Sequence, residues 1–338
     1  MPATVRDASL WRDDQPPAAL PDPFARAAGD VVWIDVERTA DPAALLAEAA
    51  PLTGPQFTAE QAAALLAESE DRDPVFFADG DVRLARGFAA QTIDTGETVG
   101  RLVFEPVNIL AGDGWLMTCW QTDEVLPHGV CREAVARRWV GGLGRTAADL
   151  AVLVLHELVL TYSPAYRGIE SWLEEWELEL YRDDHVDRES LPKLWTAMAE
   201  LRDWIKPLNR AGVRSDVDKA WFRGATDHSE IDSVDDRINR ALHDLSDLGR
   251  VLRASFALLQ QKVEEADRAR REERQQRIEM LGALFLVPTF VVGFYGANTR
   301  LPGGGEWAGF VAMLTAMVVL TAVALWLINR SHNRARGE

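Results

Sequence analysis

The stretch G-F-Y-G-A-N-T-R-L-P-G-G-G-E, Gly293 to Glu306, joins two long apolar segments in a chain that is otherwise strongly acidic. Residues 280–299 contain no Asp, Glu, Lys or Arg before the loop, and residues 307–329 contain none after it. A bilayer core is crossed by a helix of roughly 20 apolar residues, so each segment is long enough to span. An Asn and a run of glycines between two such segments predict a tight polar turn at a membrane surface, with 300–306 as the outer loop.

Charge sets the expected orientation. Arg268, Arg270, Arg271, Arg274 and Arg277 precede the first span, and Arg330, Arg334 and Arg336 follow the second. The loop holds only Arg300 and Glu306. The positive-inside rule places both termini in the cytoplasm. Two spans require the same, since an even number returns the chain to its starting side. Residues 1–30, rich in Pro and charge and lacking an apolar core segment, read as a disordered tail rather than a signal peptide. The net charge of −17 over 338 residues gives no basic face for nucleic acid. It suits a domain that concentrates cations at its surface. Cys119 and Cys131 form no metal-type pair and fit a reducing compartment.

Upstream, residues 31–150 read as an α/β domain. VVWIDV (31–36) is β-branched and strand-like. Asp41-Pro42 opens one helix as N-cap and first turn, and Thr58 with Gln61 forms a capping box for another. Strand-like runs follow at 74–79, 82–93, 101–112 and 115–121, separated by Gly and Asp. Residues 151–228 read as a helical region. One helix spans 147–162, ended by Ser163-Pro164, with others over 168–183 and about 190–210. From Ser229 no Pro interrupts the chain until the first span. Ile231, Val234, Ile238, Leu242, Leu245, Leu248, Leu252, Phe256 and Leu259 recur every three or four residues. Residues 229–279 therefore read as a stalk helix running into the first span.

Two spans cannot enclose a pore alone, so a conducting protein must be a homo-oligomer with one helix per copy lining the axis. Helical steps inward from the outer end of the first span collect Gly293, Thr289, Leu286, Gly282 and Ile278. Thr289 carries the hydroxyl of that face, and Leu286 and Ile278 are the expected apolar constrictions. The second span is more uniformly apolar and suits contact with membrane lipid. No ionisable residue falls inside either span, so an intramembrane proton relay has no side-chain candidate.

These features resemble the CorA-type divalent metal ion transporters. Tyr295-Gly296-Ala297-Asn298 stands where most members have Tyr-Gly-Met-Asn, and VNILAGDGWLMTC (107–119) is similar to the family's strand pair. The loop Leu301-Pro302-Gly303-Gly304-Gly305 resembles the zinc-transporting ZntB-like branch. RQQRIEML (274–281) lacks the Asn that usually precedes the first span. The resemblance implies an α+β cytoplasmic domain (αβα), a long stalk helix and two C-terminal transmembrane helices in an inner-membrane pentamer, with 330–338 as a basic cytoplasmic tail. It also implies a transported divalent cation, zinc first and magnesium or cobalt as alternatives, and no cofactor. Gly296, Ala297 and Asn298 would form the pore mouth. The amide oxygen of Asn298 is a neutral acceptor that could hold the water shell of a cation without trapping it. Glu306 would raise the cation concentration at the entrance. Asp235 and Asp236, at the start of the stalk, are the candidates for a regulatory divalent site between subunits. The bland account of that acidic start is that carboxylates favour a helix N-terminus.

Other constellations are weaker. His156-Glu157 lacks the second His of a zinc-protease motif, since Leu160 stands there. Asp183, Asp184, His185 and Asp187 could form a metal cluster or simply a solvated turn. No catalytic constellation is visible, which leaves transporter or non-conducting, membrane-anchored metal sensor as the two classes, and not an enzyme.

Overall fold

The computed structural model describes residues 5–13, 15–21, 24–38, 40–67, 77–79, 81–120, 132–140, 145–182, 189–211, 225–226, 228–297 and 307–335. The acidic cluster or turn at 183–187, Asn298 expected at a pore mouth, the loop 300–306 with Glu306, and Cys131 lie outside them.

A mixed sheet organises the first part of the chain. Its strands are β1 (Val5–Trp11), β2 (Ala18–Ala19), β3 (Val31–Glu37), β4 (Phe77–Asp79), β5 (Val82–Ile93), β6 (Arg101–Gly112) and β7 (Trp115–Trp120). They lie in the order β2-β1-β3-β7-β6-β5-β4. Only β3 and β7 pair in parallel, with Ile34 opposite Met117; every other pairing is antiparallel. Both strands of the parallel pair are covered on both faces, which is why VVWIDV and WLMTCW read as nearly continuous apolar runs rather than alternating ones.

Helices α1 (Pro42–Thr53) and α2 (Ala59–Leu66) cover one face through a core that includes Val32, Ile34, Val36, Leu45, Leu65, Leu110 and Met117. Their caps form as the sequence predicts. Asp41 accepts from the Ala44 amide at 3.1 Å, and Thr58 and Gln61 exchange both bonds of a capping box. The opposite face carries α4 (Ala147–Leu160). At Gly87 of β5 an added Cβ would lie 2.8 Å from Leu158 Cδ1 and 3.2 Å from Leu155 Cδ1, so α4 rests directly on the strand backbone. The domain is thus αβα in layers. It continues with α3 (Arg132–Trp139), α5 (Tyr162–Arg182) and α6 (Ser190–Ala211).

Three expectations are corrected here. The tail at 1–30 supplies β1 and β2. Trp11 of β1 is fully buried, with its ring 5.3 Å from Trp33 and edge-on to Trp139 at 5.7 Å. Arg12 bonds Asp30 at 2.9 Å and holds its carboxyl below the usual range. One buried Trp and one ion pair tie down a segment whose composition suggested disorder. Second, the boundary at residue 150 falls inside α4, and Met1–Phe256 forms one compact unit. The reason is that the aliphatic residues of α4, among them Leu150, Leu153 and Leu155, are buried. Third, Ser163-Pro164 does not end a helix. The break comes at Thr161, and Pro164 sits in the first turn of α5, where a missing N–H costs nothing.

Beyond the sheet domain, α7 (His228–Ala297) is a single helix of 70 residues and α8 (Trp307–Ala335) one of 29. α7 begins one residue before the expected stalk and carries the first apolar segment without a break as far as Ala297. α8 carries the second and extends six residues into the expected tail. Of the stripe at its start, Val234, Ile238, Leu245, Leu248 and Leu252 are buried, while Phe256 is 48% exposed. By length and apolarity alone, Ala147–Leu180 is the one stretch among the described residues that qualifies as a span. Its most apolar 18 residues are 67% buried within the domain, the mark of core helices. Gly309–Val323 in α8 is a shorter apolar run with no such cover, its Phe310, Leu314 and Val318 being exposed.

Candidate functional site

Because α7 stays α-helical to Ala297, its residues keep a fixed angular relation of 100° per step. Ile278, Gly282, Leu286, Thr289 and Gly293 then fall within an arc of about 80°, and Gly296 returns to the direction of Ile278. Ala297, the last described residue of α7, stands just past the edge of this arc. The face is open in the single chain. Ile278 is 68% and Leu286 70% exposed. An added Cβ at Gly282 or Gly293 would meet nothing within 4 Å. Thr289 returns its hydroxyl to the Phe285 carbonyl at 2.6 Å, which satisfies the proton and leaves oxygen lone pairs outward. Phe285, Phe290 and Val292 are exposed as well. Apolar surface on this scale needs lipid or further copies to cover it.

At the other end of α7, Asp236 is exposed and Asp235 half-buried. Among the described residues no three His, Cys, Asp or Glu side chains cluster as a metal site. The same region holds an arrangement that sequence reading did not find. His156, 1% exposed on α4, meets Glu230 of α7 through Nδ1 at 2.7 Å. Glu230 also faces Arg138 of α3 at 3.5 Å, and Arg138 bonds Glu157 at 3.1 Å. Just ahead of α7, the Thr226 amide donates to Asp149 at 2.6 Å. Burial lowers the basicity of His156, the bond to Glu230 opposes it, and Arg138 and Arg237 reinforce the lowering. His156 Nε2 is buried without a hydrogen-bond partner among the described residues. The ring thus fixes the start of α7 on the domain through Glu230.

A second polar network lies inside the sheet. Trp33 Nε1 donates to Thr118 Oγ1 at 2.8 Å, and Thr118 in turn donates to Asp35. Arg132 at the start of α3 pairs with Asp35 at 2.6 Å and with Asp7, and lies 4.9 Å over the Trp33 ring. Burial raises the pKa of Asp35, with Arg132 and Thr118 pulling the other way. The network joins β1, β3, β7 and α3 and presents no open site.

The family model described as CorA-like Mg2+ transporter protein matches residues 28–330. The chain belongs to the CorA-like family. Solved structures share the fold of this chain. The full-length CmaX protein superposes with a TM-score of 0.65 over 97% of this chain and 98% of its own, at 15% identity. The complete CorA magnesium transporter from Methanocaldococcus jannaschii gives 0.64 over 96% and 98%, at 17% identity. At such identities these matches show a shared fold. Among curated proteins, zinc transport protein ZntB of Enterobacter sp. (strain 638) is 24% identical over 151 residues, 44% of this chain and 45% of that protein. ZntB of Yersinia pseudotuberculosis serotype O:1b (strain IP 31758) is 25% identical over 132 residues, 39% of each. The CorA-like chain thus spans less than half the length of the curated relatives it matches.

Proposed function

We propose that this CorA-like chain forms a homo-oligomeric pore, a pentamer with both termini cytoplasmic, that carries a divalent cation across the inner membrane into the cytoplasm. Zinc is the first candidate, and magnesium or cobalt the alternatives. The observation that carries the reading is the unbroken α7. It keeps Ile278, Gly282, Leu286, Thr289 and Gly293 on one uncovered face up to the residues that precede Asn298. Copies packed around an axis would turn that face inward, with Gly282 and Gly293 leaving room for a hydrated ion and Leu286 and Ile278 narrowing the path. Membrane lipid would cover α8. The match to proteins named for zinc transport supports zinc over magnesium.

Asn298 at the outer mouth would bind the ion's water shell through a neutral oxygen, with Glu306 attracting cations toward it. The test is flux into liposomes holding the purified full-length protein and an internal metal-sensitive dye, with zinc, magnesium and cobalt compared, with and without a pH gradient. Zinc entry is expected, with Asn298→Ala abolishing it while the oligomer persists on size-exclusion chromatography. Metal-dependent stabilisation without flux of any of the three ions would instead identify a membrane-anchored sensor. Unchanged flux in Asn298→Ala would remove that residue from the mechanism.

A further inference from the structure

We propose that the cavity between α6 and α7 binds a small anion carrying a di- or triphosphate group. The cavity has a volume of about 430 Å3, within the roughly 300–1,000 Å3 typical of small-molecule sites. α6 contributes Arg202 and Lys206, one turn apart, and Asn209; α7 contributes Ser246 and, two turns on, Arg253. Gly249 of α7 and Met198 of α6 also line it, and a Cβ added at Gly249 would stand 3.4 Å from Met198 Sδ.

In a chain of net charge −17, three cations line this cavity, and no Asp or Glu stands among the described residues of its lining. Among the described residues, Lys206 and Arg253 have no ion pair or hydrogen bond, and Arg202 reaches only its neighbour Asp203, at 3.7 Å between half-exposed side chains. Arg202 Nε is buried and makes no hydrogen bond. Cations held close together without counter-charge repel one another, and a ligand with several negative charges removes that cost. Two guanidinium groups match phosphate oxygens in paired geometry, a Lys adds a compact charge, and Asn209 and Ser246 add neutral hydrogen bonds. A ligand with a single charge would leave part of the repulsion in place, so the geometry points to a chain of two or three phosphates. Such a ligand would bridge α6 to α7 in addition to the packing at Gly249.

The test is calorimetric titration of the full-length protein in lipid nanodiscs, with a chelator present so that no metal complex competes. ATP, ADP, AMP, tripolyphosphate and inorganic phosphate are compared. ATP and tripolyphosphate are expected to saturate, with AMP and phosphate at least about tenfold weaker. ATP tighter than tripolyphosphate means that the nucleoside is also held; equal affinities mean that the phosphate chain alone is read. Lys206→Gln and Arg253→Gln should each weaken binding about tenfold, as loss of a charge-assisted bond does, without changing elution volume. Arg202→Lys, which keeps the charge, should lose less than Arg202→Gln. No saturable heat with ATP or tripolyphosphate at millimolar concentration, or affinity unchanged in the Lys206→Gln/Arg253→Gln double variant, would overturn the assignment.

Discussion

His156 Nδ1 lies 2.7 Å from Glu230 Oε2, so a buried ring in the middle of α4 holds the first turn of the 70-residue α7. The bond joins residues 74 positions apart and is shielded from solvent on the histidine side. With the Asp149–Thr226 bond just ahead of α7, it fixes the start of α7 on the domain.

The pair gives stability a defined pH dependence. Burial leaves His156 less basic in the folded chain than in the unfolded one. Below the ordinary histidine value of about 6.5, the unfolded chain therefore takes up a proton that the folded chain resists. The contribution is complete above that value and is lost as pH falls beneath it. Chemical denaturation between neutral pH and pH 5 should show the decline, and His156→Gln should flatten it. An equally steep decline in the variant would exclude His156 as its source.

Thr118→Val should destabilise the sheet domain by about 1–3 kcal/mol, because it strands the buried Trp33 Nε1 and removes a donor to Asp35. Urea denaturation monitored by tryptophan fluorescence measures this. Thr118→Ser, which keeps the hydroxyl, should retain most of the loss-free behaviour.

Gly87→Ala probes the contact between sheet and helix. A Cβ there would stand 2.8 Å from Leu158 Cδ1, so the leucine must shift. Overpacking of this kind costs about 1–3 kcal/mol. Combining it with Leu158→Ala should give less loss than the sum of the two single changes, since each relieves the other.

Cys119 is buried on β7, and burial pushes its thiol up to about 11. At neutral pH it should resist a maleimide in the folded protein and react once the domain is unfolded. Mass spectrometry after timed labelling reads both rates. Fast labelling of Cys119 in the native state would contradict the packing around it.

Local chemistry was legible without coordinates. Asp41-Pro42 and Thr58/Gln61 set the starts of α1 and α2, since a cap depends on residues three apart in the chain. Runs of β-branched residues set the strands, and the absence of Pro from Ser229 to Val287 set the long helix. The face from Ile278 to Gly293 needs only the helical period. The errors arose where distant contacts override local preference. Residues 5–11 are ordered because Trp11 finds Trp33 and Trp139, and no feature of the tail's own composition says so. Ser163-Pro164 is as good a start as a stop, and the packing of α4 and α5 on the sheet chose between them.

By itself, then, the sequence determined the elements, their caps and the apolar segments on either side of GFYGANTRLPGGGE, because each follows from steric and solvation preferences acting over a few residues. Only the tertiary structure decided which apolar helices are core and which lie uncovered. Hydropathy places Ala147–Leu180 with the spans, and burial under the sheet removes it. It also decided that His156 meets Glu230 and that Arg202, Lys206 and Arg253 share one cavity. Those pairings join residues far apart in the chain, and only a folded backbone brings such groups within reach of one another.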